Sequence, residues 1–322
     1  MLGYDLIMSL AADNLNSLCL LCGSSDLILE SHAVVAPWIS RLVMDQHNPT
    51  SLNRCNSCDL VFFAHRYTDS EMAGLYSGYR GERYFQTRRR FEPWFTRSSL
   101  DFWNPVKNPG AVRERRDYMS ETFHLFGIKL GRRCDVLDFG GDLGQFFPSG
   151  LTGKKYLFDP SDTTLPAGIT RVTSLSALTA SLGLVMNCHT LEHLPNLQGQ
   201  AASMANLLTD NGYLYLEVPL DRFKTSHFHK TLSYKLYLLL LVRILPLFIV
   251  VDFLTGIYRL FFRRIPFWGI VKQSEHLNYF SKKSLLALVG EELDVIGVTE
   301  PDLNFGQGRI RVGRIALVAQ KS

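Results

Sequence analysis

The stretch Cys134-Asp-Val-Leu-Asp138-Phe-Gly140-Gly141-Asp142-Leu-Gly144-Gln-Phe-Phe147 decides the fold. Its apolar run through Asp138 to Phe139 reads as a buried strand, and Gly140, Gly141 and Gly144 follow as a turn that lets backbone pass close to a ligand. A second short apolar run, Tyr156-Leu157-Phe158, ends at Asp159, an acid placed to hold two ribose hydroxyls. Strand, glycine turn, helix, strand and acid make up the nucleoside-binding half of a doubly wound α/β sheet, whose ligand lies at the carboxyl ends of the strands.

Two ligands compete for such a turn, a nicotinamide or flavin dinucleotide and S-adenosylmethionine. The dinucleotide form wants G-x-G-x-x-G, and Phe147 stands where its last glycine would fall. An Asp two residues before the first glycine suits the methyl donor. On these residues the chain resembles the Rossmann-like class I S-adenosylmethionine-dependent methyltransferases, whose first motif is close to hydrophobic-Leu-Asp-x-Gly-x-Gly-x-Gly. It departs from them at Asp142, where the middle glycine is expected.

Around this centre the rest of the chain supplies alternating elements. A helix is expected over Ala111 to Leu130, strands over Ile169 to Val172 and Leu182 to Cys188, a helix over Asn196 to Leu208, and a strand over Tyr213 to Val218. Ser281 caps a helix through Val289, and Leu293 to Val298 with Ile310 to Val318 form an antiparallel edge hairpin. Leu191-Glu192-His193-Leu194-Pro195 follows the fourth strand and resembles the cofactor-covering loop of many small-molecule methyltransferases. The resemblance implies that Asp138, Gly140, Gly141 and Gly144 hold the methionine part, Asp159 the ribose, and Asn187, Cys188, Leu191 and Glu192 the adenine side. His189 and His193 are read as cap or packing residues or as chemical groups, and both readings stay open.

At the N-terminus, Cys19-Leu-Leu-Cys22 and Cys55-Asn-Ser-Cys58 form two CxxC knuckles, which together suit a closed four-sulfur structural Zn2+ site better than disulfides or free thiols. Cys134 and Cys188 sit in apolar strands and read as buried small residues. The paired knuckles, Cys58-Asp-Leu-Val-Phe62 and Leu75-Tyr76 resemble the zinc-module-containing sugar C-methyltransferases, a methyltransferase-23-like family. Ser274-Glu275-His276-Leu277-Asn278-Tyr279-Phe280-Ser281 resembles that family's Tyr-x-Glu-His-x-x-Tyr-Phe-Ser segment, which implies His276 as base and Glu275 as its neighbour. Gln273 stands where the tyrosine should be, so O-methylation is as well supported as C-methylation. Tyr76 and Tyr79 could supply a phenol instead.

With 46% hydrophobic and 20% charged residues over 322 positions, the chain is a folded protein with ample core. A net charge of +4 is too small to argue for nucleic acid. Residues 231 to 272 nevertheless carry six basic side chains against Asp252, a net of +5. Arg243 divides this apolar segment, Asp252 ends its second part, and neither part reaches the ~18 uninterrupted apolar residues of a spanning helix. Its Tyr258-to-Trp268 end interleaves aromatics with arginines. A peripheral membrane contact, a lid or homodimer face, and a span all stay open. The arginines and aromatics of residues 76 to 103 read either as a site for an anionic substrate or as an amphipathic helix. Met1 to Leu21 has no basic leader with a continuous apolar core, so a cytoplasmic protein is expected, peripheral to the inner face of the membrane if the insert docks there.

The expected architecture is therefore a cysteine-rich module over residues 1–75, an aromatic and arginine-rich helical linker over 76–130, and a seven-stranded methyltransferase sheet over 131–322 with an apolar helical insert at 231–268. The expected activity is methyl transfer from S-adenosylmethionine to a nucleotide-sugar or glycolipid. The alternative is a non-enzymatic adaptor with a degenerate fold.

Overall fold

The computed structural model describes residues 18–43, 49–76, 78–102, 104, 107–161, 163–178, 181–220, 224–291, 293–299 and 313–322. The expected absence of a leader over Met1 to Leu21, the linker residues Trp103 and Pro105, and the start of the last strand at Ile310 lie wholly or partly outside these residues. Among those described, the strands are β1 (Leu27–Val35), β2 (Thr50–Cys55), β3 (Val61–Phe63), β4 (Val136–Phe139), β5 (Lys155–Phe158), β6 (Ile169–Arg171), β7 (Leu182–Cys188), β8 (Leu208–Pro219), β9 (Lys272–Gln273), β10 (Asn278–Tyr279), β11 (Leu293–Val298) and β12 (Arg314–Lys321). The α-helices are α1 (Pro37–Val43), α2 (Asp69–Tyr76), α3 (Glu82–Phe91), α4 (Arg97–Leu100), α5 (Pro109–Leu125), α6 (Gln200–Ala205), α7 (Leu232–Arg243), α8 (Leu245–Phe262) and α9 (Lys282–Leu288).

The chain divides into two compact units. One comprises Met1–Leu75, Arg80–Thr96 and Asp221–Tyr279, the other Tyr76–Tyr79, Arg97–Leu220 and Phe280–Ser322. This is not the contiguous division that the sequence suggests. The insert and the segment after it return to the cysteine-bearing unit because β9 pairs in parallel with β1 and β10 pairs antiparallel with β3. Together they complete a five-stranded sheet of order β10-β3-β2-β1-β9.

The second unit is built on a seven-stranded sheet of order β11-β12-β8-β7-β4-β5-β6. Pairings among β6, β5, β4, β7 and β8 are parallel, and β12 runs antiparallel to both β8 and β11. Buried parallel strands read as near-continuous apolar runs, and Leu184, Val185 and Met186 of β7 are fully buried. Against the sheet pack Val112, Met119 and Phe123 of α5, a helix that starts at the Asn108 cap and stops before Gly127, whose φ is +69°.

Three expected elements differ. No helix follows the glycine turn; β4 reaches β5 through turns, because Gly144, Pro148, Gly150 and Gly153 deny the segment an uninterrupted helical run. A cavity of about 600 Å³ opens beside this crossover, lined in part by Gly144, Phe147, Lys155 and Ile169. The helix expected from Asn196 shrinks to α6, since Gly199 takes a left-handed φ of +74° at its start. The strand expected from Tyr213 starts earlier, at Leu208, so Thr209 to Gly212 lies inside the longer β8.

Candidate functional site

The glycine turn is held by its own backbone and by the next loop. Gly140 N donates to Phe158 O at 2.7 Å, Gly144 N donates to Gly141 O at 2.9 Å, and Thr190 Oγ1 donates to Gly140 O at 3.1 Å. A side chain at Gly140 would overlap Thr190, and one at Gly141 would overlap the Asp138 carboxyl group. Asp142 adopts φ +54°. Asp is among the residues that tolerate the left-handed region, so the missing glycine does not break the turn. The backbone N–H of Asp142 donates to Asp159 Oδ2 at 2.8 Å, and Ser161 N donates to Asp159 Oδ1 at 2.8 Å. Asp159 is thereby fixed at the end of β5 and tied to the turn it faces.

Asp138 closes the floor of the turn. It is fully buried, and neither carboxyl oxygen has a hydrogen-bond partner. Burial first, then the Asp159 carboxylate, pushes its pKa up to about 8 against the opposing pull of Arg115. Asn187, at the end of β7, is likewise fully buried with both amide atoms unpartnered. Leu191 is buried, and Glu192 is buried beside His189 and His193 at 3.6 and 3.9 Å. Cys188 points into the hydrophobic core, so its side chain offers no polar group to a ligand. Tyr76 packs edge-on against His193 at 6.4 Å and tilted against Tyr79 at 5.1 Å, which brings the two phenols beside the loop after β7.

The Asp138 shift has a measurable consequence. An unfolded Asp titrates near ~3.9, so from about pH 4 to about 8 the folded chain keeps a proton that the unfolded chain has lost. Stability therefore falls as pH rises through that window. His189, lowered by burial and then by Arg115 to about 4 from an ordinary 6.5, acts in the opposite direction below 6.5, so the Asp138 contribution is read between pH 6.5 and 8 as the difference between wild type and Asp138→Asn. There, urea unfolding of the ligand-free protein should lose up to about 1.4 kcal/mol per pH unit, and Asp138→Asn should flatten the trend. Parallel pH profiles for the two proteins would sink the assignment.

A charged cluster that sequence reading missed lies at the end of β8. Glu217 is fully buried; its Oε1 lies 3.0 Å from Arg115 Nε, 3.2 Å from His189 Nε2 and 3.8 Å from Arg314 Nη1, and its Oε2 accepts from the Tyr215 hydroxyl at 2.7 Å. Burial alone would raise the Glu217 carboxyl, but Arg115 and then His189 hold it at about 2. Glu217 reads in sequence as one polar residue in an apolar strand. Its partners come from α5, β12 and the loop after β7, so no local signal marks them.

In the other unit the four knuckle cysteines come together with all sulfurs within 4.8 Å of one another, and the Cys19–Cys58 and Cys22–Cys55 pairs are each 3.6 Å apart. That is far from a disulfide bond of ~2.05 Å and near the roughly 3.8 Å expected between sulfurs at ~2.3 Å from a tetrahedral Zn2+. Each knuckle ends in a left-handed residue, Gly23 at φ +70° and Asp59 at φ +62°. Gly23 N donates to Cys19 O, and Asp59 N donates to Cys55 O.

Glu275 and His276 stand in the same unit as the cysteines, just before β10. Glu275 accepts from the Tyr84 hydroxyl at 2.8 Å and pairs with Arg88 at 3.4 Å. Arg88 also pairs with Glu92 at 2.7 Å and lies over the rings of Phe95 and Trp38, so this arginine is structural and is not available to an anionic substrate. Arg83, Arg89 and Arg90 remain exposed. Gln273 is fully buried on β9 and donates to the His65 carbonyl at 3.1 Å; a phenol is instead supplied next door by buried Tyr67, whose hydroxyl donates to Ser274 O at 3.0 Å. His276 is half-buried, its ring 6.4 Å from that of Tyr279.

A family model described as a methyltransferase domain matches residues 111–292, more than half of the chain. No curated protein matches the sequence. Solved structures similar to it include a putative S-adenosylmethionine-dependent methyltransferase from Listeria monocytogenes, at 11% identity over 63% of this chain and 99% of that one, with a TM-score of 0.39. Magnesium protoporphyrin IX methyltransferase from Synechocystis PCC 6803 with bound SAH is similar at 17% identity over 68% of this chain and 88% of that one, TM-score 0.36. An S-adenosylmethionine-dependent methyltransferase from Methanosarcina mazei is similar at 17% identity over 62% and 96%, TM-score 0.34. The family model and the strand order carry the assignment. The residues fit the cofactor: S-adenosylmethionine is a sulfonium and an ammonium on a nucleoside, and the strand ends offer an unpartnered buried carboxyl at Asp138 of β4 and an unpartnered buried amide at Asn187 of β7. The chain belongs to the methyltransferase-domain family and is an S-adenosylmethionine-dependent methyltransferase.

Proposed function

We propose that the chain methylates a sugar carried on a nucleotide or a lipid, at oxygen or carbon, and that Asp138, Gly140, Gly141, Gly144, Asp159, Asn187, Leu191 and Glu192 hold the cofactor. The observation that carries the cofactor reading is the buried, unpartnered Asp138 carboxyl on the floor of a turn whose Gly140 and Gly141 leave no room for a side chain. When bound, S-adenosylmethionine supplies an electrophilic methyl group on sulfur. The protein's part is to fix donor and acceptor in line and to take a proton from the acceptor. Asp138 holds a proton in the ligand-free chain at neutral pH and offers negative charge once a cationic ligand displaces that proton, and Asp159, oriented by the Asp142 and Ser161 amides, keeps lone pairs for ribose hydroxyls.

The sugar reading is supported by the Ser274-to-Ser281 segment together with the four-cysteine cluster, in which we assign a structural zinc. In this reading His276 takes the proton, with Glu275 held beside it by Tyr84 and Arg88. Incubation with a labelled methyl donor and a panel of nucleotide-sugars and glycolipid extracts tests the acceptor class; label in none of them excludes it. Asp159→Ala should weaken cofactor binding in calorimetry by about 10- to 100-fold, as expected for loss of a charged hydrogen-bond acceptor. His276→Ala should keep that affinity and slow turnover by about 10²- to 10⁴-fold. Unchanged affinity in the first variant, or unchanged turnover in the second, counts against the corresponding role.

A further inference from the structure

From the outer face of α8 we infer that this protein docks in the plane of a bilayer rich in anionic phospholipid. The helix has 18 residues, of which only 17% are buried within the protein. Its inner side is committed: Phe248 packs with Val34, Tyr234, Leu238 and Ile270, Asp252 pairs with Lys272 at 2.5 Å, and Thr255 Oγ1 accepts from Ile270 N at 3.1 Å. Its outer side is almost wholly apolar. Leu247, Val250, Phe253, Leu254 and Ile257 are exposed, and Leu260 and Phe261 reach 64% and 78% exposure. Phe267, just beyond the helix, is 65% exposed. Monomeric soluble proteins rarely leave so continuous an apolar face in water.

Charge says what covers it. The exposed Arg243 stands at one end of the helix and Arg263 and Arg264 at the other, with Arg259 on the last turn. Asp252 is the one acid of residues 231–272; it is buried, and Lys272 is neutralised internally by Asp252 and by Glu92 at 2.6 Å. The sequence-level excess thus resolves into an apolar stripe bordered by exposed arginines and no exposed acid. A second copy of the chain on this face would bring arginines toward arginines, whereas anionic headgroups complement them. Tyr258 and Trp268, whose rings lie 6.4 Å apart, add the amphipathic aromatics that favour a headgroup boundary.

The helix lies flat and does not cross. At ~1.5 Å per residue its 18 residues span about 27 Å, slightly short of a hydrocarbon core of ~30 Å. Crossing would carry the ion-paired Asp252 at its middle into lipid and strip Phe248 and Thr255 from the fold. The apolar run does not end at Asp252 as its sequence suggests: the helix passes straight through Asp252 because Lys272 meets it inside the protein. This inference does not depend on the acceptor or on methyl transfer.

Flotation of the full-length protein with vesicles tests it, using phosphatidylcholine alone and phosphatidylcholine mixed with phosphatidylglycerol. The protein should float with the mixed vesicles, less so with phosphatidylcholine, and less as salt rises. Arg263→Ala and Arg264→Ala should each weaken binding by about fivefold. Leu260→Asp with Phe261→Asp should reduce it by more than about 100-fold, and, both positions being exposed, should leave thermal unfolding and S-adenosylmethionine affinity unchanged. Three results would overturn the inference: protein that stays at the bottom with both vesicle types, apolar-face variants that float like the wild type, or a lipid-free dimer in sedimentation that Phe261→Asp disperses.

Discussion

Stripping metal from the full-length protein with a strong chelator, or replacing Cys58 with serine, should destabilise the five-stranded unit by about 5 kcal/mol or more. The sequence of causes is local. Cys19 and Cys22 precede β1, Cys55 ends β2, and Cys58 lies in the turn before β3, so the four sulfurs tie the open end of a three-strand meander. Three of the four cysteines are buried. Among the described residues the other side-chain contacts at that end are largely solvent-accessible: the Ser24–Ser57 hydroxyl pair at 2.7 Å, the Asn56–Asp26 bond at 2.8 Å and the Arg54–Asp59 ion pair at 2.7 Å, and contacts of this kind add little. Structural zinc sites supply folding free energy directly, with apparent values of ~10–16 kcal/mol in small peptides. A unit with its own core, here Ala33, Leu52, Phe63, Ile265 and Val271, should feel a fraction of that. Urea unfolding with and without chelator, together with metal analysis of the purified protein, provides the measurement. Protein that contains no zinc and unfolds identically in both conditions defeats the assignment.

Replacing Glu217 with alanine should cost about 3–5 kcal/mol, the penalty for breaking a buried ion pair by removing one partner. Arg115 is only 3% exposed, and Arg115, Arg314 and His189 converge on one Glu217 oxygen. Without the carboxylate, a buried guanidinium loses its counter-charge and the Tyr215 hydroxyl loses its acceptor. Glu217→Gln, which keeps the acceptor and removes the charge, should fall between wild type and alanine. The readout is the urea midpoint at pH 7. An alanine variant within about 0.5 kcal/mol of wild type, the range of ordinary surface changes, would show that the cluster is not a stabilising centre.

Much of the second unit was legible because its signals are local. Leu182–Cys188 and Leu293–Val298 are strands at the residues where apolar runs end in turn signals, and Ser281 caps its helix, accepting from Ser284 N. The glycine turn could be read at Asp138 to Gly144 because only glycine, or a residue such as Asp142 that accepts positive φ, suits those positions. What misled was also local. A βαβ unit leads one to expect a helix after the turn, yet two more glycines and a proline within ten residues of Gly144 leave turns in its place. Arg88, one of the arginines left open to an anionic substrate, is consumed by Glu92 one helical turn on, by the Phe95 ring, and by Glu275 and the Trp38 ring, which sequence spacing does not connect.

By itself the sequence determined the glycine turn after the first strand of the larger sheet, the two cysteine knuckles and the alternation that builds a seven-stranded sheet. Each depends on backbone conformation or hydrophobic period within a few residues. Only the tertiary structure decided that the insert belongs with the cysteine unit, that Glu217 gathers Arg115, His189 and Arg314, and that α8 turns Asp252 inward to Lys272 while its apolar side faces out. Those outcomes are set by strand pairing and by charge neutralisation between residues far apart in the chain. Burial makes an unpaired charge costly enough to dictate which distant partner it meets.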